Sequence, residues 1–96
     1  MIIVNEGEAA HIASIMPIME NAFDPAFGEA WTSAQCLSAL AMPDCRLLIA
    51  RDEQIVCGFS ISRWVLDTEE LLMIGVAKER QRQKVGTILL QQTIKL

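Results

Sequence analysis

The apolar positions of this chain recur with two periods, and the switches between them mark out its elements. Met1–Val4 is a short apolar run stopped by Asn5-Glu6-Gly7, the pattern of a strand. From Glu8 to Phe23 the apolar residues fall at Ile12, Ile15/Met16, Met19 and Phe23, the spacing of an amphipathic helix. Pro17 lies inside that helix and lacks a backbone donor, so a kink or a late helix start is expected. Asp24–Ala30, with Pro25 and Gly28, reads as a loop. A second helix opens at Trp31-Thr32-Ser33-Ala34-Gln35. Thr32 is its cap, Gln35 reaches back, and Trp31 with Cys36 forms a hydrophobic staple. It stops at Ala41–Met42, before Pro43.

The period then shortens. Cys45–Arg51 and Gln54–Val65 are strand-length runs joined by Asp52-Glu53, close enough for a hairpin. Gly58 within the longer run suggests a bulge or a close backbone approach. Leu66-Asp67-Thr68-Glu69 turns the chain into Glu70–Val76, which is apolar on both faces, as a central strand covered by helices would be. Ala77–Lys84 is a polar, basic loop, and Val85 opens a third helix that runs to the end of the sequence. The predicted order, β-α-α-β-β-β-α, is an α/β arrangement (α+β, mixed sheet) with an antiparallel meander in the middle.

Composition narrows the class. Ninety-six residues suit a single domain spanning 1–96, and 52% hydrophobic with 21% charged residues excludes intrinsic disorder. No apolar run nears the ~18 residues of a membrane span, and the start of the chain is acidic, unlike a signal peptide. A soluble, cytoplasmic domain is expected. The net charge of −4 is uneven: residues 1–77 carry −8, and residues 78–96 carry +4, four of their cations lying within Lys78–Lys84. One concentrated basic segment on an acidic protein argues against a nucleic-acid binder and suits a local anion site; read alone, it is also what a solvated charge run gives. Cys36, Cys45 and Cys57 are odd in number without C-x-x-C spacing, which points to free, mostly buried thiols. His11, the only histidine, reads as part of a helix surface, and no metal site is expected.

The chemistry concentrates in Leu71–Leu90: a buried strand, a basic loop and a helix start. The first amides of a helix lack intrahelical partners, and its dipole adds positive potential there. Arg82 and Lys84 would reinforce that end, and Gly86 would let a ligand approach the backbone without a Cβ in the way. A pyrophosphate fits such a place.

At these residues the sequence resembles a known family. Ile74-Gly75-Val76 followed by Gln81-Arg82-Gln83-Lys84-Val85-Gly86 is similar to the acetyl-CoA-binding signature of the GNAT superfamily of N-acetyltransferases, Gln/Arg-x-x-Gly/Ala-x-Gly/Ala. Gln81 and Gly86 match its ends. Lys84 replaces the first small residue, where its side chain could crowd a pyrophosphate or contact it. Ala30-Trp31-Thr32-Ser33, Val65-Leu66-Asp67 and Gln81-Arg82-Gln83 further resemble the RimI-type branch, which acetylates the N-terminal alanine of a ribosomal protein.

The resemblance implies acetyl-CoA as cosubstrate and transfer of its acetyl group to a protein N-terminal or other primary amine. Ile74, Gly75 and Val76 would pair with the pantetheine arm, a backbone N–H near Val76 would polarise the thioester carbonyl, and Arg82, Gln83, Lys84, Val85, Gly86 and Thr87, with Gln81, would form the pyrophosphate loop. Glu70, six residues before Val76, stands where some members place a catalytic glutamate; Glu69 would face the other way. Members of the superfamily continue past this helix, and the RimI branch uses a tyrosine acid from that later part. This chain has no tyrosine. It therefore resembles the N-terminal part of such an enzyme, weak or inactive alone, and its exposed central-strand edge is expected to recruit a second copy. The alternative expectation is a non-catalytic α/β module that docks an acidic partner through residues 78–84.

Overall fold

The computed structural model describes residues 1–23, 28 and 30–94, without the side chains of 81–83 and 94. Its elements run β1 (Ile2–Gly7), a 3₁₀ turn (Ala9–His11), α1 (Ile12–Ala22), α2 (Ser33–Leu40), β2 (Cys45–Asp52), β3 (Ile55–Val65), β4 (Thr68–Val76), a 3₁₀ segment (Lys78–Gln83) and α3 (Val85–Ile94). The expected order of strands and helices is the one observed. The strands form one antiparallel sheet in chain order, β1-β2-β3-β4.

Several boundaries differ from the pattern-based expectation, those of the strands because pairing extends them. β1 runs on through Asn5-Glu6-Gly7, since Gly7 still pairs with Leu47. The turn before β4 shrinks to Leu66-Asp67 because Val65 pairs with Thr68. The basic stretch expected as a loop is mostly a 3₁₀ helix. The first helix begins as the 3₁₀ turn, where the Glu8 amide donates to His11 Nδ1 at 2.8 Å. Pro17 then sits inside α1, its carbonyl accepting from the Asn21 side-chain amide at 2.9 Å. The second helix starts as read: Thr32 Oγ1 accepts from the Gln35 amide and Gln35 Oε1 from the Thr32 amide, at 3.1 and 2.7 Å. Of the loop expected over Asp24–Ala30, residues 24–27 and 29 lie outside the described residues, as do residues 95 and 96 at the end of the third helix.

The sheet is covered on both faces. On one, α1 and α2 bring Ile12, Ile15, Met19 and Cys36 onto Leu47, Ile49, Phe59, Ile61 and Met73. On the other, Val85 and Leu89 of α3 pack on Leu48, Ala50 and Cys57, with Ile74 and Val76 beside them. That double cover explains why β4 is apolar on both sides although, among the described residues, it is an edge strand rather than a central one. Gly58 meets both expectations made for it. The β2–β3 register shifts between Ala50 and Arg51. A Cβ on Gly58 would stand 2.9 Å from Val85 Cγ1 and 3.1 Å from the Gly75 carbonyl oxygen, so its absence lets the first turn of α3 seat on the sheet.

The thiols are free, and Cys36 and Cys57 are buried. Burial pushes all three thiols above the ordinary cysteine range, which disfavours a nucleophilic thiolate.

Candidate functional site

The site is built where β4 ends and α3 begins. Two hydrogen bonds fix which way the backbone of β4 points. The Trp64 amide donates to the Asp44 carbonyl and the Ala77 amide to the Cys57 carbonyl, both at 2.9 Å. Because antiparallel pairs alternate, even-numbered residues of β3 beyond Gly58 bond to β2, and odd-numbered ones bond to β4. Phe59–Gly75 and Ile61–Met73 are therefore the bonded pairs with β4. Between them, the backbone of Ile74 is directed at the outer edge of the sheet.

One irregularity interrupts this edge. Ile61 pairs with Met73 but Ser62 pairs with Leu71, leaving Leu72 as an extra residue. The bulge breaks the in–out alternation: Leu72 and Met73, though adjacent, both pack toward the α1–α2 core. Beside it, on the same side of the sheet, a cleft of about 430 Å³ is lined by Phe23, Trp31 and Leu71–Ile74.

At the other end, the chain passes through the 3₁₀ segment and turns at Lys84, which has φ 62°, the left-handed region. This supplies a reason for a small residue in the corresponding position of the family signature: glycine adopts that conformation without strain, whereas lysine adopts it at a cost. Lys84 is exposed; its carbonyl accepts the first helical bond, from the Ile88 amide at 3.0 Å. Val85 is fully buried and anchors the helix start to the sheet. Gly86 and Thr87 complete the first turn. Among the described residues outside its own helix, a Cβ on Gly86 would meet Val76 Cγ2 at 3.6 Å, in ordinary contact. Packing against the described residues thus does not require a glycine at 86 beside the end of β4.

The basic segment is partly committed internally. Arg80 Nη1 binds Asp52 Oδ2 at 2.5 Å, and the Met1 α-ammonium binds Asp52 Oδ1 at 3.0 Å. The amine and Arg80 hold the Asp52 carboxyl below its ordinary range, while Asp52 raises the amine. The side chains of Gln81, Arg82 and Gln83 lie outside the described residues.

The two candidate carboxylates sit on opposite faces. Glu70 shares the α1–α2 face with its partner Arg63, bound at 3.2 Å with both side chains about half exposed. Glu69 points to the α3 face and is 4% exposed, held by Arg46 at 2.5 Å and by the Ser62 hydroxyl at 2.7 Å. Sequence reasoning passed over this second cluster. Its one visible signal is the pair Ser60 and Ser62, polar residues two apart within the apolar run of β3. Among the described residues, no three His, Cys, Asp or Glu side chains gather to hold a metal ion, and no helix is long and apolar enough to cross a membrane.

A bulged strand with an outward-directed backbone, running into a helix whose first turn is open, is an arrangement for laying an extended, anionic-ended ligand along a sheet edge. The chain belongs to the acetyltransferase (GNAT) family, whose model matches residues 12–96.

Solved structures similar to it include the ribosomal-protein-S18-alanine N-acetyltransferase from Escherichia coli, at TM-score 0.81 and 22% identity over 96% of this chain and 56% of that one. The PaiA N-acetyltransferase from Thermoplasma acidophilum, in complex with coenzyme A, gives 0.80 and 16% over 96% and 69%. An aminoglycoside acetyltransferase from an uncultured soil metagenomic sample, in complex with sisomicin, gives 0.70 and 15% over 96% and 66%. At these identities the likeness is one of fold. The chain spans just over half the length of the Escherichia coli enzyme. No curated protein matches it.

Proposed function

We propose that this chain is the acetyl-CoA-binding part of a cytoplasmic N-acetyltransferase, with a protein N-terminal amine, such as that of a ribosomal protein, or another primary amine as acceptor. The observation that carries the reading is the continuity of the outward-directed β4 edge at Ile74 with the helix start at Gly86, where Val76 Cγ2 and a Gly86 Cβ would meet at 3.6 Å. The residues fit the ligand. Ile74, Gly75 and Val76 present their edge to the pantetheine arm, and the first amides of α3 at Val85–Thr87, with Gln81–Lys84 before them, receive the pyrophosphate.

The cosubstrate supplies its acetyl group already activated as a thioester. The acceptor nitrogen forms a bond to the acetyl carbon as the carbon–sulfur bond breaks, and the sulfur leaves as thiolate. A backbone N–H near Val76 polarises the carbonyl. Glu70, on the face that also holds the Phe23–Trp31 cleft, takes the proton from the amine once Arg63 is displaced. The open β4 edge also recruits a second copy of the chain; gel filtration at high concentration showing only a monomer would count against this. Docking of an acidic partner through residues 78–84 finds less support, because Arg80 is engaged with Asp52.

The test of the principal reading is thermal. Acetyl-CoA at about 100 times its Kd adds ~2.7 kcal/mol to the stability of the folded chain. Gly86→Asp, which brings a carboxylate to the anion site, should abolish the rise in Tm. No rise with the unaltered chain at millimolar cofactor would refute coenzyme binding.

A further inference from the structure

Beneath the C-terminal end of α3 lies a polar cluster that the reaction does not use. Arg46 of β2, Ser62 of β3 and Glu69 of β4 meet there. Glu69 Oε1 takes both the Arg46 guanidinium and the Ser62 hydroxyl, and Arg46 Nη2 also reaches the Thr93 carbonyl at 3.3 Å. Thr93 in turn contacts Ser60, hydroxyl to hydroxyl, at 3.3 Å. Among the described residues, Arg46 Nε and Glu69 Oε2 are buried without a hydrogen-bond partner. Holding a carboxylate and a guanidinium here, incompletely satisfied, is costly for a site with no other purpose than filling space.

Its position in the register suggests the purpose. Ser62 is the cross-strand partner of Leu71, so the Ser62–Glu69 bond ties β4 to β3 immediately before the extra residue Leu72. On the far side of the bulge, the register is pinned by Gly75, where a Cβ would stand 2.6 Å from Phe59 Cε1 and force the buried ring to shift. The irregularity is held between these two fixed points. Freed from the first, it can migrate toward Thr68, reversing the faces of the residues it passes.

We infer that Glu69, with Arg46 and Ser62, is a positioning residue that fixes the β4 bulge and, through it, the backbone that meets the acetyl-bearing end of the coenzyme. This rests on the coenzyme reading above. From the helix start at Gly86, a ligand running along the edge passes Val76 and then Ile74 before it reaches Leu71–Leu72. The phosphate end thus lies far from the clamp and the acyl end close to it. Breaking the clamp should weaken only the part of the affinity that the pantetheine arm contributes.

Titration calorimetry of the unaltered chain, Glu69→Gln and Ser62→Ala with acetyl-CoA and with adenosine 3′,5′-bisphosphate, which lacks the arm, reads this out. Glu69→Gln keeps the volume but removes the charge facing Arg46. Ser62→Ala removes one hydroxyl and leaves the ion pair, so it serves if the first variant fails to fold. The expected result is acetyl-CoA bound about tenfold more weakly with the bisphosphate within about twofold of the unaltered chain. Hydrogen exchange at residues 70–73 should quicken alongside. If both ligands weaken together, or neither does, the cluster merely supports the fold and the positioning role is wrong. If the unaltered chain binds neither ligand, the coenzyme reading itself falls and takes this role with it.

Discussion

Replacing Gly86 with alanine should strengthen the fold and weaken the site, two effects of opposite sign from one methyl group. Gly86 is the second residue of α3, and among the described residues outside that helix a Cβ built on it touches only Val76 Cγ2, at 3.6 Å. No steric penalty is expected in the free protein. What remains is the backbone entropy that glycine loses in a helix, worth ~0.5–1 kcal/mol relative to alanine in a helix interior. Near a helix end the lower figure applies, and at ~4–8 °C per kcal/mol for a domain of this size the free protein should melt about 2–4 °C higher. With ligand the direction reverses. At about 100 Kd the unaltered chain gains ~2.7 kcal/mol. If the added methyl holds the ligand off the backbone and weakens binding by about tenfold, the gain at the same ligand concentration falls to about 1.4 kcal/mol. Scanning calorimetry with and without acetyl-CoA measures both numbers. A lower melting temperature for the free variant would show that Gly86 serves the protein's own packing. An undiminished ligand shift would show that nothing binds close to its backbone.

Other residues carry sharp expectations. Lys84→Gly relieves a left-handed backbone that costs a side chain ~1–2 kcal/mol, and after glycine's extra freedom in the unfolded chain is deducted the net gain by urea denaturation should be under about 1 kcal/mol. Thr32→Ala removes the cap of α2 and should cost about 1 kcal/mol in the same assay. The Met1–Asp52 pair gives two gentle pH dependences. Asp52, held low, stabilises above its usual 3.8 and loses this as the pH falls further. The amine, held high, stabilises fully below 8.0 and loses this as the pH rises beyond. Asp52→Asn should flatten both flanks of the Tm–pH curve, and an unchanged alkaline flank would show that the amine is not paired in solution.

The elements were legible because their signals are local. The Thr32–Gln35 reciprocal cap, the Asp52-Glu53 turn and the 3.6-residue stripe of α1 each need only neighbouring residues to be read. The hairpin turn itself centres one residue later than its composition suggests, at Glu53 and Gln54, both with positive φ. Residues that normally avoid that conformation are held in it by the pairing of Asp52 with Ile55. The start of the candidate site, from Ile74 to Thr87, was legible through its motif. The bulge at Leu72 was not, since it depends on which residue of β3 lies opposite. Nor was the Arg46–Ser62–Glu69 cluster, whose members come from three strands and become neighbours only when the sheet forms. Glu69 and Glu70 are indistinguishable as letters; strand geometry buries one against Arg46 and leaves the other half exposed beside Arg63.

Strand order in the sheet is the same as order of synthesis, with β2, β3 and β4 joined by two-residue turns. β3 and β4 each find a partner in the strand made just before them, so little chain entropy is lost in closing those pairs. Only β1 must wait for two helices to pass before its neighbour appears. A ribosome delivering this chain therefore releases strands that can zip in the direction of translation, with β4 joining after β3 and α3 following at once.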